Sequence, residues 1–219
     1  MDDLFGSEES LQQLPLIAAD VSYLKRLELG VSPEEIKRQL IEQVPWKSEK
    51  VTVWGKSHAQ PRLIAWFGDK DRSYAYSGVK LDPLPWTSLL QEVRSRVETC
   101  VGVTFNSVLL NYYRDENDSM GFHSDDEPQL GIRPIIASLS LGEPRRFVFK
   151  PKVGVLAKDY KLSLESGSLL LMKGDTQANW KHGIPKESRP CGARVNLTFR
   201  RTDRACREVD SAPAERGLL

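Results

Sequence analysis

The strongest constraint on the fold is the texture of the chain beyond Gly102, where short strand-like segments follow one another, each bounded by turn residues. Val103 to Tyr113, Ile135 to Leu141, Arg146 to Lys150, Tyr160 to Leu164, Ser168 to Met172, Trp180 to Ile184 and Arg194 to Arg200 all carry strand composition. Gly142-Glu-Pro144, Glu165-Ser-Gly167 and Lys173-Gly-Asp175 supply turns between them. Many short strands of similar length predict a double-sheet jelly roll (double-stranded β-helix), an architecture that often holds metal sites.

The preceding residues add helices, which makes the class α+β. Ser32-Pro33-Glu34-Glu35 is a capping box with proline at the first helical position, and Ile36, Leu40, Ile41 and Val44 then share one helical face. From about Thr87 to Val101, Leu89, Leu90, Val93, Val97 and Val101 recur at helical spacing, and Gly102 closes the end. Val51–Val53 and Leu63–Phe67 read as two strands of a hairpin whose connection, Trp54 to Gln60, carries an aromatic and a lysine at its tip. Tyr74 and Tyr76 alternate on one strand face. The expected organisation is an acidic flexible tail over 1–15, helices and hairpin packed on the core over 16–102, the jelly roll over 103–202, and a second flexible tail over 203–219.

Two stretches carry chemistry. In His123-Ser124-Asp125 an imidazole and a carboxylate two residues apart leave the same side of an extended segment, so both can reach one cation. His182, one of only three histidines, can complete a set of two imidazoles and one carboxylate, the ligand set of non-haem Fe(II) oxygenases. In Arg194-Val-Asn-Leu-Thr-Phe-Arg200 the polar residues Arg194, Asn196, Thr198 and Arg200 face one way and Val195, Leu197 and Phe199 the other. Strand geometry leaves about 7–8 Å between the two guanidinium groups, a gap that fits a small dicarboxylate held at both ends by planar forks. Asn111 and Tyr113, on a shared strand face, can add hydrogen bonds.

The formal net charge of +1 conceals an asymmetry, because residues 1–20 carry −5 and the remainder +6. A moderately basic body permits nucleic acid through local patches without demanding it. Cys100, Cys191 and Cys206 lack metal-ligand spacing and read as unpaired thiols of a reducing compartment. With no charged-then-apolar leader and no long apolar run, the chain is expected to be soluble and intracellular, cytoplasmic if bacterial and nuclear if eukaryotic, without membrane contact and monomeric.

Over roughly Val51 to Arg201 the chain resembles the AlkB family of Fe(II)/2-oxoglutarate dioxygenases, most of all the animal DNA-repair homologues. The resemblance is carried by Val53-Trp-Gly-Lys56, Pro61-Arg62, Tyr74-Ala-Tyr-Ser77, Phe105-Asn106, Asn111-Tyr-Tyr-Arg114, His123-Ser-Asp-Asp-Glu127, Ile136-Ala-Ser-Leu-Ser140, His182 and the Arg194–Arg200 strand, in order and spacing. It implies that His123, Asp125 and His182 hold Fe(II), and that Asn111, Tyr113, Arg194, Asn196 and Arg200 hold 2-oxoglutarate, with Arg194 at the distal carboxylate. It makes Glu127 an acidic base-recognition residue, Tyr74 and Tyr76 the aromatic lining of a base pocket, and the hairpin a nucleotide-recognition element with Trp54 as wedge. The family's usual phenylalanine is replaced there by tryptophan. Lys56, Arg62, Arg145, Arg146 and Arg201 are candidates for phosphate contacts, and Asp126 for an auxiliary role beside the substrate. The activity implied is oxidative demethylation of N1-methyladenine and N3-methylcytosine in alkylated DNA, with O2 consumed, 2-oxoglutarate decarboxylated and formaldehyde released. Demethylation of RNA, hydroxylation of another substrate, and a non-catalytic jelly roll that binds nucleic acid are the alternatives.

Overall fold

The computed structural model describes residues 10–48, 50–53, 56–70, 74–76, 79–81 and 83–202. In chain order the strands are β1 (Gln12–Gln13), β2 (Asp20–Leu24), β3 (Lys50–Val53), β4 (Lys56–Ala59), β5 (Leu63–Gly68), β6 (Tyr74–Tyr76), β7 (Val79–Leu81), β8 (Ser107–Tyr113), β9 (Met120–His123), β10 (Ile136–Gly142), β11 (Arg145–Pro151), β12 (Tyr160–Leu164), β13 (Leu169–Lys173), β14 (Trp180–Ile184) and β15 (Arg194–Arg200). The α-helices are α1 (Pro33–Gln43), α2 (Ser88–Val101) and the single turn α3 (Thr176–Asn179).

From β8 onward the strands distribute between two antiparallel sheets in the jelly-roll manner. The large sheet runs β1-β2-β13-β10-β15-β8-β5 and the small one β12-β11-β14-β9. Each strand of the large sheet sends alternate residues to opposite sides. Val195, Leu197 and Phe199 of β15 join Leu139 and Leu141 of β10 in a core under α1 and α2. Leu109 and Tyr113 of β8 and Met172 of β13 face Phe147, Phe149 and Trp180 of the small sheet in a second core between the sheets. The layers are helices, large sheet, small sheet, and the polar face of β15 looks into the gap between the two sheets.

Both long helices form for the reasons their sequences suggest. The Ser32 hydroxyl accepts from the Glu35 backbone N–H at 3.2 Å, and Thr87 does the same for Leu90 at 3.2 Å. Gly102 ends α2 in the left-handed region at φ 70°. The reciprocal half of the Ser32 box does not form, since the Glu35 carboxylate turns to Arg38 at 2.6 Å. Ile36 and Leu40 are buried on the large sheet, each burial stabilising by roughly 1.5–3 kcal/mol.

The N-terminal third departs from expectation in two ways. Lys50–Val53 pairs with Lys56–Ala59, so Leu63–Gly68 is not the second arm of that hairpin. It joins β8 at the edge of the large sheet instead. Five of its six residues are buried, on both faces, and such a strand needs a layer on each side. Secondly, residues 10–15 are not all tail. Gln12–Gln13 pairs with β2, which in turn covers β13 at the opposite edge. The stretch 16–102 therefore completes the large sheet as well as packing on it, shielding edges that would otherwise present unpaired backbone groups. Trp54 lies outside the described residues, as do Cys206 and both extreme ends. Lys56 falls in β4, and Tyr74 and Tyr76 in β6, which pairs with β7. Cys100 and Cys191 are free thiols. No helix among the described residues is long and apolar enough to cross a membrane.

Candidate metal and co-substrate site

His123 ends β9 and His182 sits in β14, where the register makes them direct cross-strand partners. Their rings meet at 4.4 Å between centroids. Gly183 permits that approach, because a Cβ on it would come within 2.9 Å of the Met120 carbonyl oxygen. Asp125 follows on the loop after β9 and is buried, its backbone N–H donating to Gln177 Oε1 at 3.0 Å. Its Oδ2 lies 3.6 Å from His182 Nε2 and its Oδ1 4.0 Å from His123 Nε2. The three ligand atoms all fall within 4.8 Å of one another, and this is the one such group found among the described residues.

Protonation states suit a divalent cation. His123 Nδ1 is 3.0 Å from the Gly121 carbonyl, which can only accept, so Nδ1 carries the proton and the Nε2 lone pair faces the cluster. Burial pushes His182 down to about 3, reinforced by the neighbouring His123 and opposed by Asp125, so its imidazole is neutral. Its ring is clamped against Phe147, 5.3 Å away and 17° from parallel. Burial opposes ionisation of Asp125, yet Arg200 and the two imidazoles outweigh it and hold the carboxyl at about 2.

Beside this cluster a narrow pocket opens between the sheets, lined in part by Asn111, Tyr113, Ser138, Asn196 and Thr198. Tyr113 stands opposite Arg194 and Asn111 opposite Asn196, so β8 and β15 contribute cross-strand pairs. Arg194 is 0% exposed. Its Nη2 donates to Ser140 Oγ at 2.9 Å and Asn196 Oδ1 at 2.6 Å, and its guanidinium lies 5.1 Å from the Tyr113 ring centroid. Nε and Nη1 make no well-formed hydrogen bond, although Tyr113 favours the cation, and among the described residues no carboxylate pairs with it. Burial lowers its pKa to about 10, which still leaves a cation at neutral pH. A buried cation with idle donors is costly to keep, and an incoming carboxylate would satisfy it. The donor set therefore fits a co-substrate carboxylate, as the two-imidazole, one-carboxylate cluster fits Fe(II).

Several expectations change at the level of single residues. Arg200 donates to Asp125 Oδ1 at 2.6 Å, so the two arginines do not simply grip two ends of one dicarboxylate. One of them steadies the cluster. Arg62 and Arg145 were expected at phosphates, and both are buried. Arg62 Nε donates to Asn111 Oδ1 at 2.7 Å. Arg145 ties the carbonyls of Asp115, Asp118 and Pro185 at 3.1, 2.7 and 3.1 Å. Both guanidinium groups are enclosed and bonded to interior acceptors, so neither is presented to a backbone outside. Arg146 and Arg201 remain exposed. Asp126 is exposed and pairs with Lys152 at 3.3 Å. Glu127, half-buried, begins the short 3-10 turn Pro128–Leu130 two residues past Asp125. Sequence reasoning missed Gln177, Phe147 and Ser138. The period-two serines of β10 were a usable signal for Ser138 and Ser140, whereas Gln177 reaches Asp125 across 52 residues and leaves no local pattern.

Comparison with known proteins agrees with this geometry. Residues 31–200 match the 2OG-Fe(II) oxygenase superfamily. The chain is 44% identical over 173 residues to human alpha-ketoglutarate-dependent dioxygenase alkB homolog 3, covering 75% of this chain and 60% of that protein. It is 40% identical over 177 residues to mouse DNA oxidative demethylase ALKBH2, covering 77% and 74% respectively. The solved structure of OsALKBH1 superposes with a TM-score of 0.59 at 18% identity over 87% of this chain and 99% of the other, a likeness of fold. The chain spans about three-fifths of the length of the alkB homolog 3 proteins it matches. With order, register and ligand geometry in agreement, this chain belongs to the 2OG-Fe(II) oxygenase superfamily and, within it, to the AlkB family.

Proposed function

We propose that the protein is an oxidative demethylase of N-alkylated bases in DNA, using Fe(II), 2-oxoglutarate and O2. The observation that carries the reading is the His123, Asp125 and His182 cluster beside a buried Arg194 with two idle donors. The names of relatives at 40–44% identity, among them DNA oxidative demethylase ALKBH2, support DNA as the substrate.

His123 Nε2, His182 Nε2 and an Asp125 oxygen would hold Fe(II) on one side only, leaving the other open to co-substrate and oxygen. When bound, the metal with 2-oxoglutarate and O2 supplies the oxidant that hydroxylates an N-methyl group, after which the hydroxymethyl product releases formaldehyde. The protein's part is placement. Arg194 would receive the distal carboxylate through Nε and Nη1, with Tyr113, Asn111 and Asn196 as neighbours along the same chain of pairs. Asn111 is itself held by Arg62, and Asn196 Oδ1 by Ser138 Oγ at 3.0 Å, so these side chains are pre-oriented. Arg200 keeps Asp125 anionic and fixed. The cavity is walled by Met120, Phe147, Met172 and Ile184, which exclude water around the reacting groups.

Glu127 is proposed to accept from the exocyclic amine of the flipped base, which a cationic methylated adenine or cytosine would favour, with Tyr74 and Tyr76 stacking on it. A base methylated on its pairing edge is already poorly paired, so extruding it costs less than extruding a normal one. Incubation with methylated DNA and RNA oligonucleotides, Fe(II) and 2-oxoglutarate, reading base products and formaldehyde, tests the proposal. Formaldehyde stoichiometric with restored adenine or cytosine in DNA is expected from the wild type and none from Asp125→Ala. Turnover on RNA alone would move the substrate, and succinate formation indifferent to every oligonucleotide would withdraw it.

A further inference from the structure

The small sheet has two faces, and the outward one is not used by the reading above. Its four strands contain five cationic residues and no acidic one. Arg145 turns inward, while Arg146, Lys150, Lys161 and Lys181 are exposed on the outer face. For a chain with a formal net charge of +1 this is a strong local concentration.

Register sharpens the point. Lys150 stands directly opposite Lys181. Like charges so placed, with Cβ atoms about 4.5–5.5 Å apart, destabilise a sheet. Among the described residues neither has a carboxylate partner within ion-pair distance. Only Arg146 has an acid nearby, Glu187 at 3.6 Å, and together with Lys161 and Ser163 these line a shallow groove at the far edge. At the near edge Phe122 is 40% exposed, and its ring covers Gly183, with Cδ1 3.2 Å from where that residue's Cβ would stand. The Lys150 ammonium lies 4.1 Å from the ring centroid. The outcome is an aromatic plate beside paired ammonium groups, leading to a basic groove. It crosses three strand spacings, roughly 14 Å, or about four nucleotide repeats of a B-form strand.

Position connects this face to the site. β9 is the free edge of the small sheet, and His123, the most exposed of the three clustered residues, follows Phe122 on it. Successive residues on a strand point to opposite faces, so a polymer leaving the cavity past His123 need only round one strand to meet Phe122.

We propose that the outward face of the small sheet, Phe122 with Arg146, Lys150, Lys161 and Lys181, is a track for the phosphodiester backbone of the strand flanking the nucleotide in the cavity. The inference deepens the nucleic-acid reading of that site, and its test is binding, independent of turnover. Lysines would contact phosphates and release counterions, and Phe122 would stack on a base after Lys150 swings from the ring to a phosphate. Removing the like-charge pair would not harm the fold, so the cost now borne by the free protein belongs to a surface kept for a polyanion.

The experiment measures binding of a fluorescent, unmodified oligothymidylate of about 20 nucleotides across a salt series, without iron or 2-oxoglutarate. The Lys150→Gln/Lys181→Gln variant is expected to bind about three- to tenfold more weakly, with the salt slope reduced by roughly 0.7 per lost phosphate contact. Its melting temperature should equal or exceed that of the wild type. Phe122→Ala should bind several-fold more weakly with the slope unchanged, since stacking releases no counterions. A charge-matched control, Lys25→Gln/Arg96→Gln, should change neither affinity nor slope. Unaltered affinity and slope in the Lys150/Lys181 variant would overturn the proposal, as would an equal loss in the control. Phosphatidylserine vesicles that need Lys150 and Lys181 while the oligonucleotide does not would also overturn it. If this binding pattern holds but no methylated oligonucleotide is turned over, the demethylase reading fails and the track stands.

Discussion

Replacing Arg194 by methionine separates what the guanidinium costs the free protein from what it contributes to the bound one. In the free protein a fully buried cation has Nε and Nη1 idle, and exchanging such a charge for an apolar side chain of similar volume is often neutral or stabilising by about 1–4 kcal/mol. Against this stand two lost hydrogen bonds from Nη2, each of about 1.5–3 kcal/mol for a charged donor. Asn196 Oδ1 keeps the Ser138 hydroxyl, so Ser140 Oγ is the acceptor left without its donor. At mid-range the two hydrogen bonds cost about 4.5 kcal/mol and the relieved burial returns about 2.5, so the free variant should melt about 4–8 °C below the wild type, at roughly 2–4 °C per kcal/mol for a chain of this size. With Mn(II) in place of Fe(II), 2-oxoglutarate at a hundred times its Kd should stabilise the wild type by about 2.7 kcal/mol, a shift of about 5–11 °C. Losing the fork to a buried carboxylate removes about 2–5 kcal/mol of affinity, so at the same concentration the variant retains under about 1 kcal/mol of stabilisation. The assay is a thermal melt of both proteins with and without 2-oxoglutarate. A variant that keeps the full shift would refute the reasoning and assign the carboxylate to another group.

Two further outcomes follow from buried groups. Arg145→Met should lower the melting temperature by at least about 6 °C, because it strips three backbone carbonyls of a charged donor at a cost of about 3–5 kcal/mol; a loss under about 2 °C would mean that water replaces the guanidinium. In the metal-free protein His182 titrates far below its ordinary value of 6.5, at about 3, so the unfolded chain binds the extra proton between those values. Stability should be fully present above pH 6.5 and fall as the pH drops towards 3, with Asp125 adding a loss only below its ordinary 3.8. A melting temperature that does not change between about pH 7.5 and 5 would show that the buried imidazole takes its proton without penalty.

The candidate site was legible to an unusual degree because its residues lie on strands. Period-two alternation turns Arg194, Asn196, Thr198 and Arg200 to one face whatever the rest of the chain does, and the spacing of His123 and Asp125 places both near one point. The helix cap at Ser32 and the left-handed stop at Gly102 were likewise readable, since they are settled within a few residues. The hairpin was read wrongly. Lys50–Val53 and Leu63–Gly68 are both plausible partners by composition, and only burial on both faces sends the second strand to β8. Nor did composition separate arginines, so Arg62 and Arg145 looked like surface cations until the fold enclosed them.

What the sequence determined by itself is what depends on local geometry: strands, caps, turn positions and the side to which each strand residue points. What only the tertiary structure decided is which distant groups share an environment. Arg200 meets Asp125 from 75 residues away, Gln177 reaches the Asp125 backbone across 52, and Lys150 finds itself opposite Lys181. These contacts decide which cation is satisfied, which is left with idle donors and which faces solvent. The physical reason is that the electrostatic cost of a charge depends on burial and on partners brought together by folding, and neither is a property of neighbours in sequence.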